Sequence, residues 1–401
     1  MDADTARLAT SPTALALLDA LPPYAASESL SRAEHLRAQG VAPELVSIVL
    51  TQARLRAAAE PKFGDFARGM LFTQEGLEQA TRLTVAALHA QRYRDAGIAR
   101  IADLTCGIGA DAMAAATLGI GVIAFELDEA TAHIADFNLR HWDHARVVHA
   151  DAMATLAAGD VDVDAIFADP ARRDARGRRH HIADYSPPLD DVFALRSRWP
   201  EVGLKVGPAL PHEAVPAGVE AQWVSVDGDV VELGLWSGRL ARRAGHSALV
   251  IARGRAYVFD ADPVPGDVGT LGDYLYEPDG AVIRAGLVGP LADELGARLI
   301  SPSIAYLTAD ADLASPFVRG FRVLANLPLK TKVIAGALRE RGIGVVDIKK
   351  RGVDITPEAL RPQLKLRGEE SATVILTRIG DQRRALLAQP LAASAQAPRS
   401  N

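Results

Sequence analysis

Four carboxylates in this chain stand where short apolar runs end: Asp103, Glu126, Asp151 and Asp169. The first closes Ile101-Ala102-Asp103 and leads into Leu104-Thr105-Cys106-Gly107-Ile108-Gly109, a turn with two glycines. Glu126 closes the second apolar run and is followed by Leu127. Asp151 ends the third and precedes Ala152, and Asp169 ends the fourth and precedes Pro170. Parallel strands offer their carboxyl ends to ligands, so acids in these places line one edge of a sheet. A glycine turn lets a nucleotide-bearing cofactor approach the backbone with no side chain in the way. A carboxylate at the end of the second strand accepts hydrogen bonds from paired ribose hydroxyls. The chain between Gly109 and Glu126 accommodates one helix, over 110–118 with Gly119 as its stop signal, and one strand.

The set Asp103-x-x-x-Gly107-x-Gly109, Glu126, Asp151 and Asp169-Pro170 resembles the class I S-adenosylmethionine-dependent methyltransferases. The resemblance implies that Asp103 lies near the methionine amino group and Glu126 binds ribose. It implies that Asp151 meets the adenine amine and that Asp169 and Pro170 face the substrate. Thr105, Cys106, Gly107 and Gly109 then form the turn, with Leu127 and Ala152 completing the expected cofactor set. The segment Leu71-Phe72-Thr73-Gln74-Glu75 is similar to the lead-in of some RNA-acting members, where a threonine, here Thr73, lines the methionine end. The rival reading is a dinucleotide site, since Gly107-x-Gly109-x-x-Ala112 also satisfies the loose Rossmann fingerprint. Asp103 opposes it, because a carboxylate at the turn repels a pyrophosphate and attracts an ammonium. A hydride-transfer domain also has no particular need for Asp-Pro on the fourth strand.

Composition narrows the field. The chain has 401 residues, 49% of them hydrophobic, enough for two or three cores, and a net charge of −6. Cys106 is the only cysteine, which excludes an internal disulfide and a cysteine-based zinc site, and no metal is expected. Its place beside Gly107 points to packing, since methyl transfer from a sulfonium requires no enzyme nucleophile. The acidic start Met1-Asp2-Ala3-Asp4 shows no signal-peptide pattern, and no stretch has the apolar length of a membrane span. The expectation is a soluble cytoplasmic protein.

The elements that must hold these residues follow from periodicity. Helices are expected over residues 12 to about 95, broken at Pro22-Pro23. An α/β core with a parallel sheet is expected over 96–262, with strands at 99–103, 121–126, 146–150, 164–168 and 203–207, and the resemblance implies that it is the Rossmann-like core of a class I methyltransferase. A hairpin around Asp227-Gly228 would supply two further strands. Residues 263–316 read as a connecting segment, in which 272–280 is a loop opening a helix. Residues 317–389 read as a small α+β domain of alternating strands and helices, and 390–401 as a disordered tail rich in Ala, Pro and Ser.

Two basic features bear on the substrate. Five arginines and two histidines fall within 172–181, directly after Asp169-Pro170. Arginine forks grip phosphate bidentately, so Arg172 and Arg173 are expected to touch a nucleic-acid backbone. Five of the seven lysines lie between Lys330 and Lys365, and Lys349-Lys350-Arg351 follows a strand. An acidic chain that gathers its lysines in one module marks where an anionic partner could bind. That module is similar to the THUMP-like RNA-binding domains of some RNA methyltransferases, although those usually precede the catalytic domain. The expectation is in-line methyl transfer to RNA, either tRNA or rRNA. The alternatives are a small-molecule methyltransferase with the C-terminal domain as lid or dimer surface, and an inactive RNA-binding protein. Asp169-Pro170-Ala171-Arg172 lacks the second proline and the aromatic of base-amine methyltransferases. Tyr185 is a candidate for the missing stacking surface.

Overall fold

The computed structural model describes residues 1–159, 161–172 and 185–391. The chain divides into two compact units, Met1–Val206 with Leu235–Arg242, and Gly207–Gly234 with Arg243 onward.

The first unit opens with helices α1 (Ala3–Ala9), α2 (Pro12–Ala20), α3 (Ser29–Ala38), α4 (Pro43–Phe63), α5 (Gln74–Gln79) and α6 (Leu83–Asp95). Local chemistry sets their starts. The Asp2 and Ser11 side chains accept from Thr5 and Ala14 N–H, and Pro12 and Pro43 occupy first helical positions. There follow β1 (Arg100–Asp103), α7 (Ala110–Thr117), β2 (Gly121–Glu126), α8 (Glu129–Leu139), β3 (Ala145–His149), α9 (Ala152–Ala158) and β4 (Ala165–Ala168). A short pair, β5 (Ala171–Arg172) and β6 (Tyr185–Ser186), precedes α10 (Leu189–Ala194) and β7 (Val202–Val206). Strands β7, β4, β1, β2 and β3 lie side by side in that order, and every one of these pairings is parallel. The chain moves outward from β1 through β2 to β3 and returns to β4 on the other side. Strand order therefore reverses between β1 and β4, the point at which open α/β sheets bind ligands.

One core serves the sheet and the N-terminal helices together. Leu18, Val49, Leu55 and Phe63 pack in the same cluster as Ile101, Met113, Val122 and Phe167. A buried edge of this core explains Gly203: a Cβ there would stand 2.3 Å from the Tyr93 hydroxyl and 2.5 Å from the Trp236 ring. The Tyr93 hydroxyl donates to the Ile166 carbonyl at 2.8 Å, so the close approach ties α6 to β4.

The second unit contains β8 (Glu220–Val226) and most of β9 (Asp229–Trp236), whose last residues belong to the first unit. It continues with β10 (Gly245–Ala252), β11 (Arg255–Ala261), β12 (Tyr274–Pro278), α11 (Gly280–Arg284), α12 (Val288–Leu295), β13 (Arg298–Leu299) and β14 (Leu307–Ala309). The end comprises β15 (Val318–Pro328), α13 (Thr331–Glu340), β16 (Ile343–Lys350), α14 (Pro357–Leu364), β17 (Glu370–Ile379) and β18 (Gln382–Pro390). Asp227 and Gly228 both take positive φ, the turn geometry that suits a two-residue hairpin between β8 and β9. Arg253 and Gly254 repeat it between β10 and β11, a second hairpin that the sequence reading did not single out. Strand β10 pairs with β8 in parallel, giving the order β11-β10-β8-β9.

Seven strands form a second sheet in the order β13-β14-β12-β15-β18-β17-β16. Residues 263–316, read as a connecting segment, thus supply three of its strands. Tyr274–Pro278, read as part of a loop, is β12. Its run Tyr274-Leu275-Tyr276, set among turn-forming Gly, Asp and Pro, is too short to separate a strand from a turn. Asp279 accepts from the Ala281 N–H and caps α11, as the helix-opening reading expected. Pro390, placed in the tail, ends β18, and the Leu391 N–H donates to the Gly320 carbonyl. The remainder of that tail lies outside the described residues. The sheet is strongly curled. Strands β12 and β16 are four steps apart, about 19 Å in a flat sheet, yet Lys349 on β16 reaches the Glu277 carboxylate on β12 at 2.6 Å.

Candidate active site

Asp103 ends β1 almost fully buried, at 1% exposure. The Thr105 N–H donates to its carboxylate at 3.2 Å. Burial drives the carboxyl well above the ordinary aspartate range, and the nearby Asp111, Asp169 and Glu126 push in the same direction. The following turn is stitched to both neighbouring strands, with Leu104 N–H on the Phe167 carbonyl and Cys106 N–H on that of Phe125, each at 2.9 Å. Gly107 and Gly109 hold positive φ, which a side chain would strain, and the space beyond Gly107 is open. Cys106 is buried, and burial pushes its thiol far up, so it fills space and is no nucleophile.

Glu126 faces the same turn. Its carboxylate accepts from the Gly107 N–H at 3.0 Å and from the Asp128 N–H at 2.9 Å. Burial raises its pKa against these donors. Leu127, next in line, is 69% exposed. Asp151 is exposed and caps α9 through the Ala154 N–H, while Ala152 is buried behind it. The edge between β1 and β3 therefore brings together Asp103, the glycine turn and Glu126, with Asp151 at the end of β3.

Asp169 lies just past β4 and Pro170 is buried behind it. The Asp169 N–H donates to the Thr105 hydroxyl at 2.7 Å, which joins it to the turn after β1. Its carboxylate forms an ion pair with Lys205 on β7. Lys205 also donates to the Thr81 hydroxyl at 3.0 Å, and Thr81 donates to Asp111 at 2.6 Å. The other Asp111 oxygen lies 2.9 Å from His89 Nδ1. Burial would raise the Asp111 pKa, but His89, Lys205 and Thr81 outweigh it and hold the carboxyl below its usual range. The relay Asp169–Lys205–Thr81–Asp111–His89 was missed in the sequence. Lys205 carried a signal: a lone lysine in the apolar strand Gly203-Leu204-Lys205-Val206.

A strap of residues 70–74 closes the other side of the glycine turn. Phe72 exchanges hydrogen bonds with the buried Gln52 amide, at 3.0 Å and 2.8 Å. Leu71 does the same with Asn138, whose Nδ2 also donates to the Ile108 carbonyl at 2.9 Å. Thr73 caps α5 by accepting from the Gly76 N–H. A Cβ on Gly76 would stand 2.4 Å from Ile108, so α5, which follows the strap, touches the turn.

Other sequence expectations sit elsewhere or fall short. Arg172 pairs through its backbone with Tyr185, and Arg173 with the rest of the basic run lies outside the described residues. Tyr185 is 2% exposed, so its ring face is unavailable for stacking, contrary to the expectation. In the second unit, Lys349 and Arg351 both approach Glu277, at 2.6 Å and 3.8 Å, because alternate residues share one face. Lys350, on the other face, is exposed. Among the described residues no cluster of His, Cys, Asp and Glu could hold a metal, and no helix is long and apolar enough to cross a membrane.

Residues 318–390 match a family described as THUMP domain-like, and residues 2–59 match a domain family of unknown function. A solved structure from Porphyromonas gingivalis W83, described as a candidate methyltransferase, aligns with a TM-score of 0.71. The alignment covers 92% of this chain and 99% of that one at 22% identity, a likeness of fold. Proteins from two strains of Mycobacterium tuberculosis, CDC 1551 / Oshkosh and ATCC 25618 / H37Rv, are each described as an uncharacterised S-adenosylmethionine-dependent methyltransferase. Each is 35% identical over 348 residues, spanning 84% of this chain and 93% of its own length. With an acid-lined glycine turn at the reversal of a parallel sheet and relatives of that identity along most of its length, the chain belongs to the S-adenosylmethionine-dependent methyltransferases, and S-adenosylmethionine is its cofactor.

Proposed function

We propose that this methyltransferase acts on RNA, and that the edge from β3 to β7 is where transfer occurs. The observation that carries the substrate reading is the THUMP domain-like module at 318–390, which contains five of the seven lysines in an otherwise acidic chain. The resemblance of such modules to RNA-binding domains supports an RNA partner, and the arginine-rich run after Pro170 supports phosphate contacts by Arg172 and Arg173. Lys350, in the lysine-rich module, is exposed.

The cofactor residues fit the donor. Asp103 offers a buried carboxylate with one N–H donor, suited to an ammonium, and Gly107 leaves open space beside it. Glu126 at the rim suits ribose hydroxyls, and Asp151 with Leu127 and Ala152 suits an adenine. Thr73, Thr105, Cys106 and Gly109 shape the turn around them. When bound, S-adenosylmethionine supplies an electrophilic methyl carbon on a sulfonium. Methyl transfer of this kind is catalysed by alignment and charge placement. Asp169 accepts a hydrogen bond from the attacking nitrogen or hydroxyl and takes its proton, while Lys205 and Thr105 fix the Asp169 side chain and backbone. Pro170 sets the backbone so that a neighbouring carbonyl faces the acceptor.

The test is transfer of tritium from methyl-labelled S-adenosylmethionine to total RNA from a strain lacking this protein. Label in RNA, abolished by Asp169→Ala, is the expected result. No label, with donor binding intact by calorimetry, overturns it in favour of a small-molecule acceptor. That second reading draws on one observation, that Lys349 and Arg351 are engaged by Glu277.

A further inference from the structure

A groove of about 330 Å³ opens between α3 and α4. Its floor is apolar, made by Ala33, Val46 and Leu50. Its walls carry Arg37 from α3 and Arg54 from α4, with the hydroxyls of Ser29, Ser47 and Thr51 between them. Tyr24 also lines the groove, and the preceding Pro22-Pro23 is held by Arg32, which donates to their carbonyls at 3.0 Å and 2.9 Å and pairs with Glu28. Among the described residues, neither Arg37 nor Arg54 has a carboxylate within ion-pair distance; Arg54 donates only to the neutral Gln74 amide oxygen, at 3.0 Å. Two uncompensated guanidinium groups therefore flank a shallow apolar floor beside a positioned aromatic ring.

We infer that this groove binds one unpaired nucleotide of the RNA substrate, with its phosphodiester on Arg37 and Arg54 and its base against Tyr24 and Leu50. The chemistry is that of single-stranded RNA recognition: guanidinium forks and hydroxyls on phosphate, an aromatic face for a splayed base. The volume is at the small end of ligand pockets, about 300–1,000 Å³, which suits one nucleotide and excludes a duplex. Position strengthens the assignment. Helix α4 lines the groove and also grips the strap: Gln52 holds Phe72, Arg54 holds Gln74, and Arg56 donates to the Met70 carbonyl at 2.9 Å. Arg54 takes part in both, so a strand seated in the groove is joined through one side chain to the residue after Thr73. The inference rests on the RNA reading of the substrate, and the experiment separates the two.

The measurement is fluorescence anisotropy of short labelled single-stranded oligoribonucleotides titrated with the full chain at several salt concentrations. Arg37→Glu and Arg37→Gln should weaken binding about tenfold or more and lower the salt slope by about 0.7, the signature of one lost phosphate contact on a single strand. Arg37→Lys should retain most of the slope. Calorimetric binding of S-adenosylmethionine checks that each variant is folded. Wild-type binding left unchanged by both Arg37→Glu and Arg37→Gln overturns the groove alone and leaves the RNA substrate standing. No oligonucleotide binding by the wild-type chain overturns both. Uridine monophosphate bound in an Arg37-dependent way, with oligonucleotides unaffected, makes the groove a free-nucleotide site and overturns the RNA assignment.

Discussion

Lys205 and Asp169 form an ion pair across the gap between β7 and β4, and Lys205 turns the pair into a relay by donating also to Thr81. In the proposed role of Asp169 one carboxylate oxygen must stay oriented toward the acceptor, and Lys205, anchored on Thr81, would supply that orientation. Lys205→Met should reduce turnover about a hundredfold, the low end of what a positioned acid–base group contributes. S-adenosylmethionine affinity should persist, and Lys205→Arg should recover part of the rate. A positioning role also predicts a displaced acidic limb in the pH–rate profile of Lys205→Met. An unchanged profile with reduced rate would assign Lys205 to structure only.

The buried Asp103, if it meets the methionine ammonium as proposed, couples cofactor binding to protons. Its folded pKa is raised, so between the ordinary aspartate value and the raised one the folded protein binds the extra proton. Stability contributed by this site is therefore present at low pH and declines as pH rises through that window. A methionine ammonium favours the ionised carboxylate, so binding should release a proton there. Calorimetry in two buffers of different ionisation enthalpy reads that release, and Asp103→Asn should abolish it.

Glu126 holds the Gly107 and Asp128 N–H groups, and we propose that it also accepts from the ribose hydroxyls. Glu126→Ala should weaken S-adenosylmethionine binding tenfold or more, since a bidentate acceptor is lost together with the support of the turn. An unchanged calorimetric affinity would dismiss Glu126 as a cofactor residue.

Asn138 satisfies three buried backbone groups, on Leu71 and Ile108. Asn138→Ala should cost about 3 kcal/mol, because each buried polar group left without a partner is penalised by roughly 1–3 kcal/mol. Urea denaturation measures it. A loss below half that size would mean that strap and turn relax together.

The acids and glycines were readable in the sequence because each is a local event: a strand, then its terminal residue, then a turn. Asp103, Glu126, Asp151 and Asp169 each follow an apolar run by a single step. The relay behind Asp169 was not readable, because Thr81, His89, Asp111 and Lys205 come from elements far apart in the chain. Only a folded sheet places them together. The curl of the second sheet was hidden for the same reason. Lys349 and Arg351 look like a basic strand end in sequence, while the curl carries them to Glu277. Tyr185 shows a different failure: an aromatic beside a proline-rich turn was taken for a surface, and its burial depends on packing that no local pattern records.

The strap also decides where this chain can be cut. A family boundary falls at residue 59, inside α4, and invites a shortened protein that starts after it. Such a deletion would remove Gln52, Arg54 and Arg56, and with them the partners of Phe72, Gln74 and Met70. It would also open the shared core at Leu18, Val49 and Leu55. Protein engineers seeking a minimal catalytic fragment should therefore expect insoluble material from that cut. The sequence module and the folding unit are different partitions of the same polypeptide, and heredity drew its line through the middle of a helix that thermodynamics treats as one piece.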